Sequence, residues 1–332
     1  MITPTPPSPA DASDPIDPDV RLLDSSKVDA FRAMTYDAYK RLLSLETQER
    51  SPGEGDHRLI EPLALGAYVD GRPAGLLVAE WPASEPTAAE KSAFGDAVPR
   101  VLSIYVSAPA RRRGVAGALL DALETEVARR GGGILEAVYT TGKPPIEWLE
   151  RLFAGRGWTA PEGKSLLVRF TPAAAFASRL LLEKRVARQR EGLEISPFSE
   201  LTAEDHETIR RSDAEKQWIV PFLAPWRYDL QNADPSSVVA RHHGDVVGWV
   251  ITHRPERHVV RFTCSFMRRD LAREGRIVPL YEAVLKQVRG DCRECSFTTP
   301  FEYPRMIAFI RRHLAPISHV VAETRLVKRE VP

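Results

Sequence analysis

VLSIYVSAPARRRGVAGALLDALETEV, residues 101–127, decides how the rest of this chain is read. Val101 to Val106 are aliphatic, β-branched or aromatic with one serine, which suits a strand. After Pro109 and three arginines the apolar positions change to helical spacing at Val115, Leu119, Leu120, Leu123 and Val127. The chain therefore passes from strand to helix through Arg111, Arg112, Arg113, Gly114, Val115, Ala116 and Gly117. The first N–H groups of a helix have no internal partner, and its aligned dipoles place about half a positive charge there. Gly114, Ala116 and Gly117 keep side chains clear so that backbone can approach an anion, and Arg111, Arg112 and Arg113 add charge-assisted hydrogen bonds. A phosphate fits such a turn. A solvated basic turn with small residues packed on a sheet is the plainer alternative.

Outward from this stretch, residues 64–80 read as two strands joined at Asp70-Gly71, a hairpin signal because both residues tolerate positive φ. Helical spacing precedes it from Val20 to about Leu45. Gly131-Gly132-Gly133 stops the helix after 127. Strand 134–141, a helix from Pro145 to about Phe153 and a strand near 166–170 follow. After 173–191, which read as an amphipathic connecting helix, the order repeats. Ala67, Gly71 and Gly75 fall at the spacing of Ala240, Gly244 and Gly248, as expected of an internal duplication. The expected division is a disordered, proline-rich tail over 1–20, one domain over 21–172, the connector 173–191 and a second domain over 192–332. The expected fold is α/β: two tandem domains, each a mostly antiparallel mixed sheet flanked by helices.

The chain has 332 residues, with 46 Lys and Arg against 45 Asp and Glu. That balance argues against a nucleic-acid partner as the main task. No apolar run is long enough to span a membrane, and the N-terminus lacks a signal-peptide pattern, so a cytoplasmic protein is expected. Cys292 and Cys295 form a CxxC, but no second cysteine pair or close histidine pair completes a tetrahedral site. No metal is expected; the pair reads as small residues entering a strand, with a redox pair as the alternative.

The strand, Pro109, Arg111-x-x-Gly114-x-Ala116 and the leucine-bearing helix resemble motif A of the GCN5-related N-acetyltransferase (GNAT) superfamily. Phe153-Ala154-Gly155-Arg156-Gly157-Trp158 resembles the end of the following motif, usually Tyr-x-x-x-Gly-Phe. The resemblance covers residues 20–172 and, more faintly, 193–332 as a second copy, a layout similar to tandem members such as mycothiol synthase. It implies that the amides from Arg112 to Gly117, Val115 included, hold the pyrophosphate of a phosphopantetheine thioester. It also implies that the Ile104 amide polarises the thioester carbonyl and that Val106 pairs with the pantetheine arm. The donor is coenzyme A or a carrier protein's phosphopantetheine.

The implied reaction is acyl transfer to an amine of a small molecule by direct attack, with specialised metabolism as a candidate setting. The family's base positions fall on Arg100 and Leu102, which cannot serve, and its tyrosine acid falls on Phe153, which has no proton to give. Tyr139, Thr140 and Thr141 are the substitutes at the end of the neighbouring strand. Glu80 and Glu136 are candidate bases, with a solvated surface role the plainer expectation, and Tyr105 reads as core. In the second copy Gly275 matches Gly114, but Ala272 stands in place of Arg111 and Ile277 in place of Ala116. That copy is expected not to bind a nucleotide thioester. Trp218, Trp226, Tyr228 and Trp249 read as a cleft between domains or as core, and His242-His243 as a solvated turn. Arg179, Lys184, Arg185, Arg188 and Arg190 form a solvated face or a dock for an acidic acyl carrier protein. A module that binds acyl-CoA or a carrier protein without turnover is the alternative to an enzyme.

Overall fold

The protein is described by a computed structural model covering residues 16–51, 56–85, 98–142, 145–228 and 230–332. In its first half, β1 (Asp19–Leu22), β2 (Gln48–Ser51), β3 (Asp56–Val69), β4 (Arg72–Pro82) and β5 (Arg100–Val106) lead to helix α1 (Val115–Arg129). β6 (Gly133–Thr140), α2 (Ile146–Ala154) and β7 (Glu162–Phe170) complete it. α3 (Pro172–Phe176) and α4 (Glu183–Arg190) link to the second half: β8 (Leu193–Pro197), α5 (Ala203–Lys216), β9 (Val238–His242), β10 (Asp245–Glu256) and β11 (Val259–Met267). Then come α6 (Arg269–Ala272), α7 (Val278–Val288), β12 (Glu294–Pro300), α8 (Pro304–Phe309) and β13 (Val320–Val331).

The duplication is visible in backbone detail. Both hairpins turn on two residues of positive φ, Asp70-Gly71 and His243-Gly244. Ala67 lies opposite Gly75, and Ala240 opposite Gly248, with a register shift beside each pair. Across β4 and β5 the pairing runs Val78 to Ser103 and then Ala79 to Val101, leaving Leu102 as a bulge. Across β10 and β11 it runs Ile251 to Cys264 and Thr252 to Phe262, leaving Thr263 as the matching bulge. A bulge bends its strand and re-aims the residues beyond it.

The two halves do not each close a sheet of their own. One sheet runs β1-β3-β4-β5-β6-β13-β7-β12-β11-β10-β9-β8, with β2 on β3. The last strand of the chain, β13, therefore lies against β6 of the first half, from Thr324 opposite Thr140 to Val331 opposite Gly133. β7 in turn lies against β12 of the second half. Side chains follow the same exchange. Val327 and Val331 pack in the α1 core with Leu119, Leu123 and Val127, whereas Leu166, Val168 and Phe170 pack in the α7 core with Leu280 and Val284.

Two expected helices differ. Residues 20–45 begin in β1 and continue as 3-10 turns, Val28–Met34 and Asp37–Ser44, interrupted by extended Thr35. The connector is three short pieces, not one helix, with a 3-10 turn at Arg179–Leu181. Leu180 and Leu181 are both buried, and a straight helix would turn adjacent side chains about 100° apart. Of the expected disordered tail, residues 1–15 lie outside the described residues; the Ile16 amide donates to the Arg113 carbonyl at 3.3 Å, and β1 begins at Asp19. Among the described residues no helix is long and apolar enough to cross a membrane.

Candidate active site

β5 and β6 run parallel but stay paired at only two positions, Arg100 with Glu136 and Val101 with Ala137. Beyond the Leu102 bulge they separate, so Leu102 to Val106 on one side and Val138 to Thr140 on the other face a wedge-shaped opening. Unpaired strand edges offer donors and acceptors to anything extended that carries amides. Ile104 and Val106 turn toward the α1 core, while Leu102 packs on the opposite face. Tyr105, expected in the core, alternates to the face opposite Ile104 and is 38% exposed there.

The turn from β5 to α1 closes one end of this opening. Arg111 Nε donates to the Val106 carbonyl at 3.0 Å, tying the turn back to the strand. Arg112 has φ 63° and Gly114 φ 90°, a conformation that glycine adopts without strain. No side chain caps α1. Its first helical bond runs from the Ala118 amide to the Gly114 carbonyl at 3.0 Å, so the amides of Val115, Ala116 and Gly117 lie ahead of it. Among the described residues a Cβ on Gly114 would meet nothing closer than the Ile16 carbonyl at 3.8 Å, so no described side chain fills the turn.

Gly117 has a packing reason beside the one expected. A Cβ there would fall 2.3 Å from Arg156 Nη2; the missing side chain makes room for a guanidinium. Arg156 pairs with Asp121, one bond being Nη2 to Oδ2 at 3.0 Å, and so adds a fourth arginine beside the helix start. In the sequence Arg156 stands out only as one position of the second motif. Its cue is a cation one residue before the Gly157 turn, too weak to place it against a helix 35 positions earlier.

The second copy shows the turn closed. Gly275 keeps positive φ, but a Cβ there would sit 2.5 Å from Gln189 Nε2. Gln189 is buried and donates to the Glu274 carbonyl at 3.2 Å, while Arg276 Nη1 donates to the Glu191 carbonyl at 2.6 Å. The connector thus covers the second turn. Its opposite face is filled: Trp249 is fully buried and stacks on Phe266 at 4.6 Å between ring centroids, and Trp218, Trp226 and Tyr228 pack against the same cluster. These aromatics line no cleft between halves. Burial pushes the Cys264 thiol there up to about 12. His243 stands in the β9–β10 turn, whereas His242, also expected there, is the last residue of β9, paired with Asp245.

Near the wedge, Tyr139 donates its hydroxyl to Glu150 Oε1 at 2.9 Å. Burial first, then the hydrogen bond to Glu150, raise its phenol well above the ordinary tyrosine value. The Phe153 ring lies 6.0 Å from the Tyr139 ring and 4.7 Å from Trp158. Thr140 is half-buried on the opposite face of β6, paired with Thr324. Thr141 is committed to backbone: its Oγ1 accepts from the Glu323 amide at 2.8 Å. Glu80 and Glu136 are buried, not solvated, because Arg100 lies between them at 3.8 and 3.1 Å and Lys328 reaches Glu136 at 3.2 Å. Both carboxylates thus sit in an ion-paired group drawn from β4, β5, β6 and β13. Cys292 and Cys295 are buried free thiols with sulfurs 4.0 Å apart. Among the described residues no group of three or more His, Cys, Asp or Glu is placed to hold a metal.

Residues 29–153 match the model of the Acetyltransferase (GNAT) family. Over the whole length, the chain is similar to a solved tandem GNAT protein from the clavulanic acid biosynthesis pathway, at 14% identity and a TM-score of 0.58, covering 95% of this chain and 99% of that one. It is similar to a GCN5-related N-acetyltransferase from Sphaerobacter thermophilus at 14% identity and TM-score 0.52, covering 96% and 97%. A glucosamine N-acetyltransferase region in a fungal multi-domain GH3 β-N-acetylglucosaminidase gives 14% and 0.55, covering 95% of this chain but only 38% of that one. No curated protein matches the sequence. The family match thus falls on the first copy, and the chain as a whole has the fold of the solved tandem GNAT protein.

Because among the described residues the first turn is uncovered and the second is covered, a calorimetric titration with coenzyme A is expected to saturate at one molecule per chain. Two per chain would contradict the closure of the Gly275 turn.

Proposed function

We propose that this chain transfers an acyl group from a phosphopantetheine thioester, of coenzyme A or of an acyl carrier protein, to an amine of a small molecule. The observation that carries this reading is the end of β5–β6 pairing at Val101 together with a turn at Gly114 that no described side chain fills, whereas its counterpart at Gly275 is covered by Gln189. Residues 21–172 and 192–332 are then a donor-binding domain and a degenerate copy, joined by 173–191 and exchanging their last strands.

In this reading the amides of Arg112 to Gly117, with Arg111, Arg112, Arg113 and Arg156, take the pyrophosphate; they bind and do no chemistry. The pantetheine arm lies along the free edge of β5 near Val106. The Ile104 amide donates to the thioester carbonyl, an interaction of about 3 kcal/mol when aimed at the developing oxyanion. The amine nitrogen attacks the carbonyl carbon and sheds a proton to solvent. The carbon–sulfur bond breaks, leaving its electron pair on sulfur. Tyr139, a neutral phenol at ordinary pH, then supplies the proton that Phe153 cannot. The pantetheine thiol has a pKa near that of cysteine, about 8.5, so its departure is helped by a proton but does not depend wholly on one.

Thiol release from acetyl-CoA mixed with a panel of small amines tests the reading, with a thioester-loaded carrier protein run in parallel to decide the donor. Tyr139→Phe is expected to lower kcat by about a hundredfold, the lower range of general-acid contributions, with Thr140→Val nearly unchanged. Tight thioester binding without turnover of any amine would instead favour a binding module, a reading that the lost hydroxyl at Phe153 suggests.

A further inference from the structure

The charged cluster beside Tyr139 draws on both halves of the chain. Glu150, on α2, receives Tyr139 Oη at 2.9 Å and Arg325 Nη1 at 2.8 Å on the same oxygen, Oε1. Arg325 belongs to β13, the strand delivered from the second half, and stands directly opposite Tyr139 in register. Side chains opposite one another on adjacent strands leave the same face and touch. Arg325 is fixed from its other side: its Nε and Nη2 both donate to Glu323 Oε2, at 3.1 and 3.0 Å. Glu323 is fixed in turn, its amide donating to Thr141 Oγ1 at 2.8 Å and its carbonyl accepting the Thr141 amide at 2.8 Å. A chain of defined contacts thus runs from backbone through Glu323, Arg325 and Glu150 to one phenol.

We propose that Arg325 is a positioning residue for acyl transfer: through Glu150 it sets the direction of the Tyr139 hydroxyl. This rests on the acyl-transfer reading and on Tyr139 as the proton donor within it. A carboxylate held by one partner alone swings about its side-chain torsions; a second donor on the same oxygen removes that freedom. In the free protein the phenol hydrogen rests on Glu150. When the carbon–sulfur bond breaks, that hydrogen turns to the sulfur, the new S–H bond replaces the O–H bond, and the proton shed by the nitrogen restores the phenol through solvent. The amide and free thiol are the products, with no proton or electron left over. Arg325 touches neither substrate nor sulfur in this scheme; it keeps the oxygen from which the phenol turns in one place. The second half thereby takes part in the chemistry of the first without a donor site of its own.

A partly exposed ion pair of this kind contributes little to stability, so loss of fold is not the expected effect. In a thiol-release assay, Arg325→Gln should lower kcat about tenfold, within the coupling range of residues in one hydrogen-bond network. The KM for acetyl-CoA and the affinity for coenzyme A should stay unchanged. Arg325→Lys should recover part of the loss. In a Tyr139→Phe background, Arg325→Gln should have no further effect. Should Arg325→Gln prove unstable in thermal melts, Glu150→Gln in the same two backgrounds makes the same comparison. Additive losses in the double variant, or a loss confined to KM or to the melting temperature, overturn the proposal. A wild-type chain that binds coenzyme A yet acylates no amine rejects the parent reading instead, and this one with it.

Discussion

Deleting residues 320–332 is expected to abolish coenzyme A binding at a site to which the deleted residues contribute none of the phosphate-binding groups. β13 carries Leu326, Val327 and Val331, each 6% exposed or less, into the first half. Burying an aliphatic side chain of that size contributes about 1.5–3 kcal/mol, and a whole domain is stable by only about 5–15 kcal/mol. Removal also strands the inner edges of β6 and β7. A hydrogen-bonded edge opened inside a sheet is prone to foreign pairing. Circular dichroism and calorimetry on the truncated chain should show loss of cooperative melting together with loss of coenzyme A binding. For the same reason, residues 16–172 expressed alone should fail to fold as a stable unit. A truncated chain that melts and binds like the full one would contradict the strand exchange.

The second large effect falls on the turn itself. Arg112→Ala combined with Gly114→Val should weaken coenzyme A binding by at least a hundredfold. A hydrogen bond to a charged group is worth about 1.5–3 kcal/mol, and each 1.4 kcal/mol is about a factor of ten. Valine at Gly114 adds backbone strain, since φ is 90° there and a β-branched residue rarely adopts it. The double variant should keep its melting profile apart from that local cost, because among the described residues no core side chain packs against Gly114. Calorimetry with coenzyme A, and with pantetheine as a ligand lacking the phosphates, separates the two contributions. Affinity for pantetheine should barely change. Equal losses for both ligands would place the effect outside the phosphate turn.

Which of these features can be read from residues alone depends on how local their causes are. The Gly114 turn is legible because strand pattern, proline, arginines, glycine and helix spacing lie within 27 consecutive positions. The two hairpins are legible because a two-residue turn of positive φ writes itself as Asp-Gly or His-Gly. The closed second turn is half legible: Ala272 and Ile277 show the missing charge and the crowding, but nothing local marks Gln189 and Arg276 as its cover. The strand exchange is not legible. β7 and β13 have the same apolar alternation whichever sheet they enter, so pattern fixes which residues are buried and leaves the partner open. The buried state of Glu80 and Glu136 escapes the sequence for a related reason. Neither carries a local sign of Arg100 and Lys328, which reach them across neighbouring strands. Tyr139 can be picked as a strand-end hydroxyl; Glu150 and Arg325, which give it a direction, come from a helix and from a strand 186 positions later (325 − 139).

Hydrogen–deuterium exchange of the full chain with and without acetyl-CoA tests the central claim most directly, because the amides themselves are the proposed grip. Protection is expected in two stretches, 102–106 along the wedge and 112–118 at the start of α1, with 268–278 in the second half unchanged. Protection that appears in 268–278, or that spares 112–118 while the ligand is bound, would contradict it.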